Sequence, residues 1–154
     1  MSPRVHPLTV DTGLEILLVL DEILARDRHA LLSPREHLEP VGERVLDVED
    51  GRLLLWAEWQ GRPVGLVDAR LHHPGPGALT YAQLAVARTA RFKGVGRTLV
   101  AAAARAAEAQ AGPLDGLFAA VRPTADGAFA FWSSLGFEPS VTYPELLETL
   151  SLPE

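Results

Sequence analysis

The sequence predicts an α/β fold organised around one mixed central sheet, and three observations carry that prediction. Residues 52–71 hold two strand-length apolar runs on either side of Gln60-Gly61-Arg62, the signature of a hairpin. From Ala78 to Leu135, apolar runs and helical runs alternate as strand, helix, strand, helix, an order that lays helices against a sheet. The chain has 154 residues and neither internal repeats nor low-complexity linkers. One domain over 1–154, long enough to bury a real core, is therefore expected.

In chain order, Val5 to Val10 reads as a short strand. Asp11 or Thr12 then resembles an N-cap, with Glu15 near the third helical position as in a capping box. From Gly13 to about Leu31 the apolar positions Leu14, Leu17, Leu18, Ile23 and Leu24 follow helical spacing. Ser33-Pro34 reads as a second helix start, the serine capping and the proline at the first position. Arg52 to Trp59 and Pro63 to Leu71 are the hairpin strands, and His72 to Gly77 is a loop by composition. Ala78 to Ala87 is a strand. Thr98 to Ala111 is a helix stopped by Gly112-Pro113. Gly116 to Val121 reads as a buried strand, and Ala125 to Leu135 as a helix ended by Gly136. Glu138 to Thr142 and Leu146 to Leu152 are the last strands, with Pro144 in the turn between them. The sum is about six or seven strands flanked by about four helices.

The most informative stretch is Arg91-Phe92-Lys93-Gly94-Val95-Gly96-Arg97-Thr98, set between the apolar Leu84-Ala85-Val86 and the alanine-rich helix. Two glycines one residue apart mark backbone that turns tightly or approaches something closely. They sit where the helix begins, and a helix N-terminus offers unpaired N–H groups and the positive end of its dipole to a phosphate. Arg88, Arg91, Lys93 and Arg97 cluster there in a chain of net charge −6. That local reversal of sign suits a pyrophosphate. Lys93 is the only lysine, and arginine supplies the rest of the 14 basic residues.

This stretch resembles motif A of the GNAT superfamily, the acyl-CoA-dependent N-acyltransferases. That motif reads Arg/Gln-x-x-Gly-x-Gly/Ala at a strand-to-helix junction, and here Arg91, Gly94 and Gly96 fill it. The usual Leu-x-Val lead-in is Leu84-Ala85-Val86, and the Phe-Tyr-x-x-x-Gly-Phe that often closes a later helix is matched by Phe131 to Phe137. A glycine pair before a helix is common, but the two blocks in the right order and context are specific, and together they cover residues 50 to 143. The resemblance implies the GNAT fold and acetyl-CoA as cosubstrate, with no metal. It implies that Leu84, Ala85 and Val86 lie on a strand that splays from its neighbour, with free backbone groups for the pantetheine arm. It implies further that Arg91, Phe92, Lys93, Gly94, Val95, Gly96, Arg97 and Thr98 hold the pyrophosphate, chiefly through backbone N–H groups. The first helices help form the acceptor side of the cleft.

Two departures bear on catalysis. The family's tyrosine, a frequent proton donor to the departing thiolate, is Trp132 here, and indole does not protonate a thiolate at neutral pH. The asparagine that often opens the later helix aligns with Ala125. The positions where family members place a base, on the strand face shared with Leu84, are Thr80 and Ala82, and neither ionises usefully. By the period-2 rule Tyr81 falls on the opposite face. Glu58 reads as a solvated carboxylate before a hairpin turn, His72 and His73 as loop residues, and Tyr143 as a further candidate between the last strands. The catalytic residues are left unassigned.

Composition excludes several classes. Hydrophobic content of 47% and charged content of 22% are ordinary for a soluble globular protein. No apolar run approaches a membrane span, and Leu14 to Leu20, interrupted by Glu15, lacks the flanks of a signal peptide. A cytoplasmic protein acting on neither membrane nor nucleic acid is expected, since nucleic-acid sites are basic. The acidic balance weakly favours a cationic or neutral acceptor. The chain contains no cysteine, which rules out an acyl-cysteine intermediate and leaves direct attack of an amine on the thioester. The expected activity is transfer of an acetyl group from acetyl-CoA to a primary amine of a small molecule or peptide. The alternative is a catalytically weak GNAT-fold module that binds acyl-CoA or regulates. An unrelated nucleotide-binding domain fits poorly, because the Gly-Lys-Ser/Thr of nucleotide hydrolases is absent from this loop. Oligomeric state stays open, a homodimer included.

Overall fold

A computed structural model describes residues 2–26, 28–31, 40–46, 51–73, 75–91, 93–121, 126–143 and 147–151. Its elements, in chain order, are β1 (Arg4–Pro7), α1 (Leu14–Arg26), β2 (Arg28–Leu31), α2 (Val41–Arg44), β3 (Arg52–Trp59), β4 (Arg62–Leu71) and β5 (Ala78–Val86). A 3-10 turn (Arg88–Ala90) then leads into α3 (Val95–Ala111), β6 (Gly116–Val121), α4 (Asp126–Ser134), β7 (Glu138–Tyr143) and β8 (Leu147–Ser151). The strands form an eight-stranded mixed sheet of order β1-β3-β4-β5-β6-β8-β7, with β2 paired to β5 off that path. The α/β class and the number of helices agree with the sequence reading, and β2 is the additional strand.

The hairpin forms as its composition requires. Trp59 pairs with Arg62 across Gln60 and Gly61, whose φ values of 53° and 76° match the turn that suits the twist of antiparallel strands. The start of α1 differs from the expectation. Its first intrahelical bond runs from the Leu17 N–H to the Gly13 carbonyl, so Gly13 occupies the cap. The Thr12 hydroxyl accepts instead from the Thr9 N–H at 3.0 Å, inside the preceding turn. The end of α1 differs too: the helix stops at Arg26, and residues 28–31 are a strand. Leu20, Ile23 and Leu24 are its buried residues, whereas Leu14 and Leu18 face outward. Helical spacing at 28–31 yields to pairing with β5, a tertiary contact that overrides a weak local preference. The short α2 was not foreseen. It carries no apolar periodicity and is held by Asp21, whose carboxylate accepts from the Val41 N–H at 2.7 Å. The helix start expected at Ser33 lies outside the described residues.

Two apolar layers cover the sheet. On one face α3 and α4 bury Leu79, Tyr81, Leu84, Val86, Leu99, Trp132 and Phe137 in one cluster. On the other, Leu20, Ile23 and Leu24 of α1 and Val41 of α2 pack on Trp56, Leu66 and Ala85. Among the described residues no helix is long and apolar enough to cross a membrane.

A buried polar cluster sits on the second face. Asp68 of β4 accepts from Arg44 Nη1 at 3.1 Å and from Arg52 Nη2 at 2.8 Å. Arg44 Nη1 also donates to Gln83 Oε1 of β5. The Arg44 and Asp68 side chains are 0% and 2% exposed. The carboxylate thus ties α2 and the start of β3 to the centre of the sheet. Breaking a buried pair leaves uncompensated buried charge, at a cost of about 3–5 kcal/mol. Asp68→Ala should therefore lower stability to chemical denaturation by about that amount, and Asp68→Asn by less. A loss in Asp68→Ala below about 1 kcal/mol, the range of an exposed pair, would show that the cluster does not hold the two layers together.

Candidate active site

The site begins where β5 ends. After Val86 the chain passes through the 3-10 turn Arg88–Ala90 and reaches Gly94 in a left-handed conformation at φ 81°. A Cβ at Gly94 would meet nothing within 4 Å, so glycine serves the backbone angle here and not a close contact. This left-handed residue caps α3 directly, and the helix starts at Val95, ahead of the expected Thr98. The Thr98 N–H donates to the Gly94 carbonyl at 3.0 Å, and the Thr98 hydroxyl donates to the same oxygen at 2.7 Å. Gly94, at the N-cap, has no side chain with which to cap this end of the helix. The N–H groups of Val95, Gly96 and Arg97 therefore lack intrahelical acceptors at the positive end of the dipole.

A cleft of about 590 Å³ opens at this turn. One wall is Val86, Ala90, Arg91, Gly94, Val95, Gly96 and Arg97; the other is the α4 face of Gly127, Ala130, Phe131 and Ser134, with Leu135 just past its end. Nothing local in α4 signals which helix face meets α3, so the sequence shows this wall only through its motif. Gly96 makes the meeting possible. A Cβ there would stand 2.8 Å from Phe131 Cε1.

The remaining motif residues divide. Leu84 and Ala85 are fully buried, Leu84 in the α3-side cluster and Ala85 in the α1-side cluster. The Lys93 ammonium lies 5.9 Å from the centroid of the Trp59 ring, a cation–π arrangement outside the cleft lining. Arg88 is exposed in the 3-10 turn. Phe92 lies outside the described residues, as does Ala125.

The splay expected beside Leu84 is present. Parallel pairing of β5 with β6 runs from Ala78 and Gly116 to Tyr81 and Ala119 and stops there, although both strands continue. Past that point β5 pairs with β2, through Leu31 with Gln83, Ala30 with Leu84 and Arg28 with Ala85. The edge that the resemblance implies is free is thus bonded to the chain's own backbone.

A bulge in β5 corrects the assignment of faces. Asp68 pairs with Gln83, yet the next residue, Ala69, pairs with Tyr81, so Ala82 is inserted. One extra residue inverts the alternation. Tyr81 consequently shares the α3-side cluster with Leu84, and Gln83 faces Arg44 on the other side. The Tyr81 hydroxyl donates to the Val100 carbonyl at 2.8 Å, and burial pushes the phenol well above its ordinary pKa. Trp132 is also core: fully buried, its ring lies 5.3 Å from Tyr81, 5.2 Å from Phe131 and 4.9 Å from Phe137. Neither residue lines the cleft. Among the described residues, the polar side chains that do so are Arg91, Arg97 and Ser134. The Ser134 hydroxyl donates to the Phe131 carbonyl at 2.6 Å.

The other candidates lie elsewhere. Glu58, expected to be solvated, pairs with His6 Nε2 at 3.1 Å on the β1–β3 edge. His72 Nδ1 accepts from the Gly77 N–H at 3.3 Å within the β4–β5 connection. The Thr80 hydroxyl donates to the His73 carbonyl at 2.6 Å. Tyr143 is the last residue of β7.

Comparison with known proteins agrees with this fold. The model of the acetyltransferase (GNAT) family matches residues 19–137, and the chain belongs to that family. No curated protein matches the sequence. Among solved structures it is similar to an acetyltransferase from Thermus thermophilus, at 22% identity and TM-score 0.74, over 100% of this chain and 98% of that one. It is also similar to the PaiA N-acetyltransferase from Thermoplasma acidophilum, solved in complex with coenzyme A, at 14% identity and TM-score 0.74 over 100% of both chains. The ribosomal-protein-S18-alanine N-acetyltransferase from Escherichia coli aligns at 17% identity and TM-score 0.66, over 98% of this chain and 93% of that one. At such identities the likeness concerns the fold.

The contact between Gly96 and Phe131 is directly testable. Gly96→Ala should destabilise the protein by about 1–3 kcal/mol, the usual cost of overpacking. Phe131→Leu in the same chain should recover part of that loss in a double-mutant cycle. Strictly additive losses would show that the two residues do not press on one another.

Proposed function

We propose that this chain moves an acetyl group directly from acetyl-CoA to a primary amine of a small molecule or peptide. The observation that carries this reading is the uncapped first turn of α3, which opens into a cleft beside Arg91 and Arg97. Backbone N–H groups at a helix start, with guanidinium groups beside them, form the donor set that a pyrophosphate requires. In this reading Val95, Gly96 and Arg97 bind phosphate oxygens through their N–H groups. Arg91 and Arg97 add contacts worth roughly 0.3–1 kcal/mol each where exposed. The backbone of Leu84, Ala85 and Val86 orients the pantetheine arm. Bound acetyl-CoA supplies an activated thioester carbonyl. With no cysteine in the chain, the acceptor amine attacks that carbonyl itself; the N–C bond forms, the C–S bond breaks, and CoA leaves as its thiolate. Its proton leaves to water, since no carboxylate, imidazole or phenol belongs to the described lining. The coenzyme A bound by the Thermoplasma relative and the alanine named as the target of the Escherichia coli relative support the cosubstrate and an amine acceptor.

The same lining favours a second reading, a catalytically weak acyl-CoA-binding module, because it holds no group of ordinary acid–base strength. Thiol release separates the two. In a protein without cysteine, a thiol reagent reports CoA release with no background from the protein, and acceptor-dependent release identifies the enzyme.

Binding is the first test. Acetyl-CoA or CoA should raise the melting temperature, by about 2.7 kcal/mol of stabilisation at one hundred times Kd, and ATP or NAD at equal concentration by much less. Gly94→Val should abolish the shift, because a branched residue resists φ 81°. Equal shifts for all ligands, or an undiminished shift in Gly94→Val, would overturn the cofactor reading.

Trp132 supplies the second test. Packed in the aromatic core, it stabilises the fold without transferring a proton. Trp132→Phe should therefore lower stability by a few kcal/mol, of the order seen for core aromatic truncations, while keeping most of the acetyl transfer across the pH–rate profile. A rate loss of about 10²–10⁴-fold, the range of general acid catalysis, with CoA affinity intact would overturn that role.

A further inference from the structure

We propose that β2 is an internal plug: the chain's own strand holds the pantetheine edge of β5 until the arm of the cofactor displaces it. The proposal rests on the reading of Leu84, Ala85 and Val86 given above and adds a control to that slot. Where β5 and β6 part, after Tyr81 and Ala119, a strand edge is left with backbone donors and acceptors that need partners. Here Leu31, Ala30 and Arg28 take them in antiparallel register with Gln83, Leu84 and Ala85. The segment also lies against β6 and α4, so it is seated in the wedge between the diverging strands. One row of backbone groups cannot bond to β2 and to the amide-bearing arm of CoA at the same time. The two occupants compete.

Two features make the plug displaceable. β2 has only 4 residues, and its register breaks between Arg28 and Ala30, so few bonds hold it. At its far end, Leu31 pairs with Gln83. The Gln83 side chain is 0% exposed, and its Nε2 has no hydrogen-bond partner among the described residues. A buried donor without an acceptor beside this pair carries a cost. The phosphate end of the site is different. It begins at Val95, past the end of β5, whereas β2 pairing ends at Ala85. A ligand bearing only the phosphate half meets a ready site. A ligand bearing the arm must also open the slot, and its apparent affinity falls with the fraction of chains already open.

The test uses the full chain with two probes, CoA and adenosine 3′,5′-bisphosphate, which has the nucleotide phosphates but no arm. Amide hydrogen exchange of wild type should rise at residues 28–31 on saturation with CoA and stay unchanged with the bisphosphate. Ala30→Pro and, separately, Leu31→Pro weaken the pairing, because proline lacks the N–H that a strand donates. Each should bind CoA about threefold to tenfold more tightly by calorimetry while leaving bisphosphate affinity within about twofold. Unchanged or increased protection of 28–31 with CoA bound overturns the plug, as does wild-type CoA affinity in folded proline variants. If no form binds either probe, the cofactor reading itself falls and the plug with it, an outcome distinct from CoA binding that leaves β2 in place.

Discussion

Pairing between β5 and β6 stops at Tyr81 and Ala119, and the cleft exists because it stops. Parallel neighbours that continue together would close the sheet and leave no edge beside Leu84. Divergence creates two features at once, a wedge between strands and a strand end from which the chain can swing into α3. The left-handed Gly94 completes the swing, so that the first turn of α3 faces the cleft with its N–H groups uncapped. The anion-binding character proposed for the site would therefore be a property of backbone direction. Side chains modulate it: Arg91 and Arg97 add charge, and Thr98 occupies the Gly94 carbonyl.

The bulge at Ala82 divides the work of β5 between two faces. Below it, Leu79 and Tyr81 point toward α3; above it, Leu84 and Val86 do so again. Gln83 is thereby turned toward α2 and joins the Arg44–Asp68 cluster. The aromatic group of Tyr81, Trp132 and Phe137 belongs to the core that carries α3 and α4. A residue that aligns with a family proton donor is thus part of the packing layer. The chemistry of the proposed transfer then falls to orientation of the thioester and loss of a proton to water, both compatible with a cleft wall rich in glycine and alanine.

Much of the architecture was legible because its signals are local. Gln60 and Gly61 mark the hairpin by their own backbone preferences, and the alanine-rich run marks α3 by propensity. The glycine pair marks the turn into α3, although the two glycines do different work. Gly94 is needed for its φ, which depends on its own backbone. Gly96 is needed for the approach of Phe131, which depends on a residue far along the chain. Face alternation in β5 departs from the sequence pattern for the same kind of reason. Period-2 reasoning assumes an unbroken ladder, and a bulge is visible only in the pairing with β4.

By itself, then, the sequence determined the α/β class, the order of most elements, the GNAT motif and the lack of cysteine, since each follows from residue type and short-range spacing. Tertiary structure decided where α1 ends and β2 begins, which face Tyr81 and Gln83 occupy, where Lys93 points, and that α4 forms the second wall. Each of those depends on which distant segments meet. The energy of a β5 edge paired with β2, of a buried carboxylate between arginines, or of a ring pressed on a glycine is defined only once both partners are in place.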